Sequence, residues 1–134
     1  PTEASVGIDN RTCALRVITG SEHSQRLEYR IAAADANPYI ILAAVIASGL
    51  WGIENQTEPT AFVTGNAYAQ SFPADLQLPA NLWDAAQRLK NSQPARDLFG
   101  NDFVDHFAAT REWEEREFRK HISEWELQRY FEII

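Results

Sequence analysis

In the run "RLEYR", Arg26, Glu28 and Arg30 alternate with Leu27 and Tyr29. On an extended backbone successive side chains point to opposite faces, so the three charged residues share one face. Two chemistries suit that arrangement. Guanidinium groups bind phosphates and carboxylates through paired N–H donors, and a carboxylate between them offers hard oxygen to Mg²⁺ or Mn²⁺. Arg11 and Arg16, one strand earlier, enlarge the cationic face, so residues 11–30 hold four arginines in a chain of formal net charge −7. The plainer reading is a solvated strand face with intrastrand ion pairs, and the pattern alone leaves both open.

The elements that must position these residues follow from patterning. "RTCALRVI" and "RLEYRIA" read as two strands joined by the turn-like "TGSEHSQ". A two-stranded hairpin is marginal alone, so something else must complete the sheet. Asn37 and Pro38 then mark a helix start, Asn capping free amides and Pro sitting where no hydrogen bond is lost. The helix "YIILAAVIASGLWGI" is apolar on nearly every face, which predicts a central, buried helix. Gly49 and Gly52 inside it call for close packing or a helix end near Gly52. Residues 54–79 contain three prolines and read as a long loop with short helical turns. The helical period resumes at Pro79, "PARDLF" stops at Gly100, and Asn101 is expected to cap the next helix. Ser123 and Glu126 have capping-box spacing, so a break near Ile122 and a fresh helix are expected. The sum is an α+β chain, mostly helical, with a small antiparallel hairpin.

Composition narrows the classes. The 134 residues suit about one domain, and 45% hydrophobic content with four Trp and seven Phe is enough for a core. The acidic balance argues against nucleic acid or an anionic membrane as partner, since both attract cationic surfaces. A single cysteine, Cys13, excludes an internal disulfide and fits a reducing, cytoplasmic setting. The start "PTEASVGIDNRT" has no apolar signal region, and the most apolar stretch is shorter than the roughly 20 residues that span a bilayer. The absence of Met and the start at Pro1 suggest a piece of a longer protein. Asp102 and His106 stand four apart but read as a surface helix contact more readily than a metal pair. Trp113 and Trp125 are expected as core or subunit-interface anchors.

The order Asn10, Arg11, Arg16, then "RLEYR", then "ADANPY" opening the apolar helix, with "WELQRYFE" near the C-terminus, closely resembles the last quarter to third of the glutamine synthetase family. The likeness extends over essentially the whole chain. It implies an ATP-dependent ligase that joins glutamate to ammonia through a γ-glutamyl phosphate, or in related branches to a polyamine or other amine. It also implies roles. Glu28 resembles a ligand of an active-site Mg²⁺ or Mn²⁺ ion. Arg30 resembles a contact to the glutamate carboxylate or transferred phosphoryl group. Arg11 and Arg16 match arginines that hold ATP phosphates and the charge developing on transfer, and Arg26 matches one near the nucleotide. Arg11 and Arg30 are thus the expected catalytic residues, with Arg16 and Arg26 as the cofactor-binding pair.

The family often has a proline soon after the arginine matched by Arg16, where this chain reads Val17 and Ile18. The tail "FRKHISEWELQRYFEII" resembles the γ-glutamyl-amine ligase branches more than the ammonia-using bacterial enzymes. One glutamate cannot hold two metal ions, so the chain is expected to be a C-terminal fragment of the catalytic domain, inactive by itself. The full-length protein is expected to be a cytoplasmic homo-oligomer, a large ring, with a dimer open to the fragment. A non-catalytic relative kept for assembly, and a helical interaction module with merely solvated charges, are the alternatives.

Overall fold

The β-branched and aromatic residues near the N-terminus build three short strands, β1 (Val6–Ile8), β2 (Leu15–Ile18) and β3 (Arg26–Tyr29), in the order β1-β2-β3. The computed structural model describes residues 1–133. It forms two compact units, Pro1–Leu78 and Pro79–Ile134. β2 and β3 form the expected antiparallel pair, with Leu15 opposite Tyr29, Arg16 opposite Glu28 and Ile18 opposite Arg26. Both strands are shorter than the sequence suggests. The completing strand is β1, which pairs with β2 in parallel, Gly7 opposite Arg16. Parallel neighbours usually need a crossover of about a dozen residues. Here residues 9–14 suffice, because Asp9 adopts a left-handed backbone with φ of 49° and turns the chain at once.

The long loop after the first helix covers the outer edge of β1. The Val63 N–H donates to the Val6 carbonyl at 2.8 Å, Ala4 donates to Leu76 at 2.7 Å and Leu78 to Thr2 at 2.9 Å. The loop contains the short helical turns foreseen for it, at Ala67–Ala69 and Ala74–Leu76. Ser5, Val6, Cys13, Ala14 and Ala67 are buried and form the small core of this unit.

Helix α1 (Pro38–Glu54) starts as expected, with the Asn37 side chain accepting from the Tyr39 and Ile40 amides. Its environment corrects the sequence reading. None of its residues is buried, and Tyr39 and Ile53 are 82% and 76% exposed. Neither Gly49 nor Gly52 has anything within 4 Å of where a Cβ would stand, so neither serves close packing in this unit, while the helix does end near Gly52, at Glu54. The apolar run states a need for cover that residues 1–78 do not meet.

The second unit is helical: α2 (Leu82–Lys90), α3 (Gln93–Phe99), α4 (Asn101–Phe118) and α5 (Glu124–Tyr130). α2 and α3 pack on α4 around Ala86, Val104 and Ala108. Arg96 ties the three together, donating to the Lys90 carbonyl, to Asn101 Oδ1 at 3.0 Å and to Asp105 Oδ1 at 2.7 Å. Asn101 is not the cap of α4. Gly100, at φ of 81°, occupies that position without a side-chain bond, and Asn101 is the first helical residue, its oxygen taken by Arg96. The break before α5 follows the sequence, with a complete capping box between Ser123 and Glu126. Trp113 and Trp125 are 55% and 64% exposed and so are not core residues of this unit.

Candidate functional site: an alternating charge ladder beside a cleft

Antiparallel register sets Arg16 directly across from Glu28, and strand alternation puts Arg26 on the same face as Glu28. The result is one connected ladder. Arg16 Nη1 donates to Glu28 Oε2 at 3.0 Å, and Arg26 Nη2 and Nε donate to Glu28 Oε1 at 3.1 and 3.3 Å. On its other side Arg16 donates through Nε and Nη2 to Asp9 Oδ1, the Nε contact at 3.1 Å. Arg16 is the most enclosed member, its side chain 14% exposed against 27% for Glu28 and 72% for Asp9.

This geometry fixes protonation. Hydrogen bonds from Arg16, and then from Arg26, hold the Glu28 carboxyl below its ordinary value of 4.5 against the opposing effect of partial desolvation. Asp9 first and Glu28 second raise Arg16 above its ordinary value. Glu28 is therefore an anion and Arg16 a cation at neutral pH.

Arg11 lies in the turn between β1 and β2 and shares a cleft of about 730 Å³ with Asp9, Asn10, Arg16 and the segment Phe62–Gly65. Its side chain makes no hydrogen bond or ion pair among the described residues. Arg30 lies one residue beyond β3, where its N–H still bonds the Ala14 carbonyl at 2.9 Å and its side chain is exposed. Of the five residues singled out by sequence, Arg16, Glu28 and Arg26 are joined directly and Arg11 shares the cleft with Arg16. Arg30 continues the strand, its side chain without a hydrogen bond or ion pair among the described residues. Sequence reasoning missed Asp9 and the Phe62–Gly65 wall. The Asp-Asn pair at the turn is the signal that could have pointed to Asp9, since both residue types tolerate a left-handed backbone.

No group of three His, Cys, Asp or Glu side chains suited to a metal ion occurs among the described residues. Glu28 is an ionised carboxylate, the donor type a hard divalent cation takes, and both its oxygens here accept from arginines. It fits a single ligand's share of a site. No helix among the described residues is long and apolar enough to cross a membrane.

Guanidinium groups around an ionised carboxylate, beside an arginine-lined cleft, have the donors that phosphate or carboxylate anions take. Residues 1–130 match the family described as glutamine synthetase, catalytic domain, and the chain belongs to that family. It is 43% identical over 131 residues to a glutamate–isopropylamine ligase of a Pseudomonas species, covering 98% of this chain and 28% of that one. It is 42% identical over 137 residues to type-1 glutamine synthetase 2 of Dictyostelium discoideum, covering 100% and 26%. A solved structure described as "Apo GmaS without ligand" superposes with a TM-score of 0.80 at 29% identity, over 98% of this chain and 30% of that one. The chain thus spans between a quarter and a third of the length of these relatives.

Proposed function

We propose that this chain is the C-terminal part of the catalytic domain of an ATP-dependent carbon–nitrogen ligase, which joins glutamate to ammonia or an amine through a γ-glutamyl phosphate. The observation that carries the proposal is the Arg16–Glu28–Arg26 ladder beside the cleft that Arg11 lines. Phosphoryl transfer from ATP to a carboxylate spreads negative charge over the transferred group, and fixed cations stabilise it. Arg11 and Arg30 have free guanidinium groups and take the catalytic roles, one on the transferred phosphoryl group and one on the glutamate. Arg16 and Arg26 stand beside the nucleotide and hold Glu28 ionised, the state in which it can ligate Mg²⁺ or Mn²⁺. A divalent cation, when bound, would neutralise phosphate charge, with its remaining ligands supplied from outside these residues.

An amine acceptor in place of ammonia is the second reading, favoured by the 43% identity to a ligase named for isopropylamine. The uncovered faces of α1 support a homo-oligomeric enzyme in which further protein closes over this helix. The test is ADP formation by the full-length protein with glutamate and, in turn, ammonia, isopropylamine, putrescine, spermidine and ethanolamine. The proposal expects turnover that needs both glutamate and an acceptor. Glu28→Gln should lower that turnover and shift the Mn²⁺ requirement to higher concentration. ADP release indifferent to glutamate, or unchanged metal dependence in Glu28→Gln, would refute it.

A further inference from the structure

The turn that carries Arg11 is held in an unusual way. A carboxamide offers two N–H donors and two acceptor lone pairs, and Asn10 engages all of them. Its Nδ2 donates to the Gly65 carbonyl at 2.8 Å and to the Val63 carbonyl at 3.3 Å. Its Oδ1 accepts from the Thr12 N–H at 3.0 Å and from the Thr12 hydroxyl at 2.7 Å. The Thr12 hydroxyl oxygen in turn accepts from the Ala67 N–H at 2.9 Å. Both neighbours of Arg11 are therefore tied to residues 63–67, more than 50 positions away in the chain. Arg11, between them, is left with a free side chain and lines a cleft that residues 62–65 also line.

We propose that Asn10, braced by Thr12, is a positioning residue that fixes the backbone of Arg11 beside the Phe62–Gly65 segment, so that its guanidinium is presented to an anion entering the cleft. This rests on the catalytic role of Arg11 proposed above. Arginine's long side chain gives it reach, but its base is set by the backbone. A cation whose flanks are locked and whose donors are free is what preorganised charge stabilisation requires. Thr12 contributes by fixing the carboxamide, and its hydroxyl transmits the constraint to Ala67.

The experiment uses the full-length protein with Asn10→Ala, Asn10→Asp, Thr12→Val and Thr12→Ser, each also combined with Arg11→Ala. Asn10→Asp keeps the shape but removes both donors and points a carboxylate at two carbonyls. The expected result is a fall in kcat of about 10- to 100-fold for Asn10→Ala and Asn10→Asp, the scale of a misplacement near 1 Å. KM for ATP should change little, Thr12→Val should follow, and Thr12→Ser should retain activity near that of the unchanged protein. In the Arg11→Ala background, Asn10→Ala should cost almost nothing more, since two residues acting through one group are not additive. A second readout is independent of turnover. Amide hydrogen exchange in Asn10→Ala should accelerate in residues 9–14 and 63–68, with β2 and β3 unchanged. Additive losses of Asn10 and Arg11 in an active enzyme, or unchanged exchange in both segments, would overturn the inference. Absence of any glutamate-dependent turnover in the unsubstituted protein would instead refute the ligase proposal and leave the exchange result to decide the clamp.

Discussion

Gly7 stands where three pieces of the first unit converge, and replacing it with alanine tests that packing directly. A Cβ there would lie 2.8 Å from Asn10 Cβ, 2.9 Å from Cys13 Sγ and 3.0 Å from the Val63 carbonyl oxygen. Ordinary contacts between such heavy atoms fall at roughly 3.5–4.0 Å. The three neighbours have little room to yield: Cys13 is fully buried, Asn10 is hydrogen-bonded on both side-chain polar atoms, and Val63 is bonded through its backbone to β1. No single rotamer change relieves the clash, so the overpacking penalty should be about 1–3 kcal/mol.

Cys13 gives the assay, because it is the chain's one cysteine and has no exposure in the folded state. Its reaction with a thiol reagent reports how often this part of the unit opens. A loss of 1–3 kcal/mol should accelerate labelling by about 5- to 150-fold under native conditions. Gly20→Ala is the matched control, since only the Ser24 side chain would meet its Cβ and that hydroxyl can turn away. Labelling in Gly7→Ala at the rate of the unsubstituted chain would refute the convergence of β1, the turn and the Val63 segment at this point.

Two predictions concern the helical unit. Glu112 accepts from Lys90 Nζ at 2.9 Å and Gln87 Nε2 at 2.7 Å, and these bonds, Lys90 first, hold its carboxyl below the ordinary 4.5. A carboxyl lowered in the folded state contributes stability above its unfolded pKa and loses it as pH falls through the folded value. Urea unfolding should therefore show Glu112→Gln less stable than the parent at pH 7, with the gap closing below pH 4.5; a gap constant with pH would contradict the ion pair. Ser123→Ala removes the capping box of α5, and should cost that helix about 1 kcal/mol. Amide exchange at Glu126 and Leu127 should rise accordingly, and unchanged protection there would contradict the cap.

The strand pair, the starts of α1 and α5 and the break before α5 were legible in the sequence because each rests on local chemistry: alternation, an Asn-Pro start, a Ser123–Glu126 box. What was not legible depends on distant partners. β1 is three residues long and earns its place only by pairing in parallel with β2 and by receiving Val63 from a loop more than 50 residues on. The apolar character of α1 announced that it needs cover, but periodicity cannot say which residues supply it. Asn101 has the right residue type for a cap, yet Arg96 takes its oxygen and Gly100 assumes the turn. Arg11, Arg16, Arg26, Glu28 and Arg30 were all visible as a charged set. Their separation into bound and free cations was not, because it follows from the β2–β3 register that sets Arg16 across from Glu28 and from Asp9 folding back onto Arg16.

That separation distinguishes the arginines chemically. Nε, Nη1 and Nη2 of Arg16 are all engaged by two carboxylates, on the central strand of the sheet. These bonds use three of the five guanidinium N–H groups, so an anion arriving at Arg16 meets one remaining donor on each Nη and competes with Asp9 or Glu28 for the others. Asp9 is the weaker competitor, because its side chain is 72% exposed and water can receive it on release. Glu28, gripped from both sides, stays in place and stays ionised through such an exchange, since Arg26 still holds its other oxygen. Arg11 presents its donors with nothing to displace. The ladder thus suits a steady field that keeps one carboxylate charged, while the cleft suits capture of a mobile anion. Both meet at Arg16, which lines the cleft and anchors the ladder.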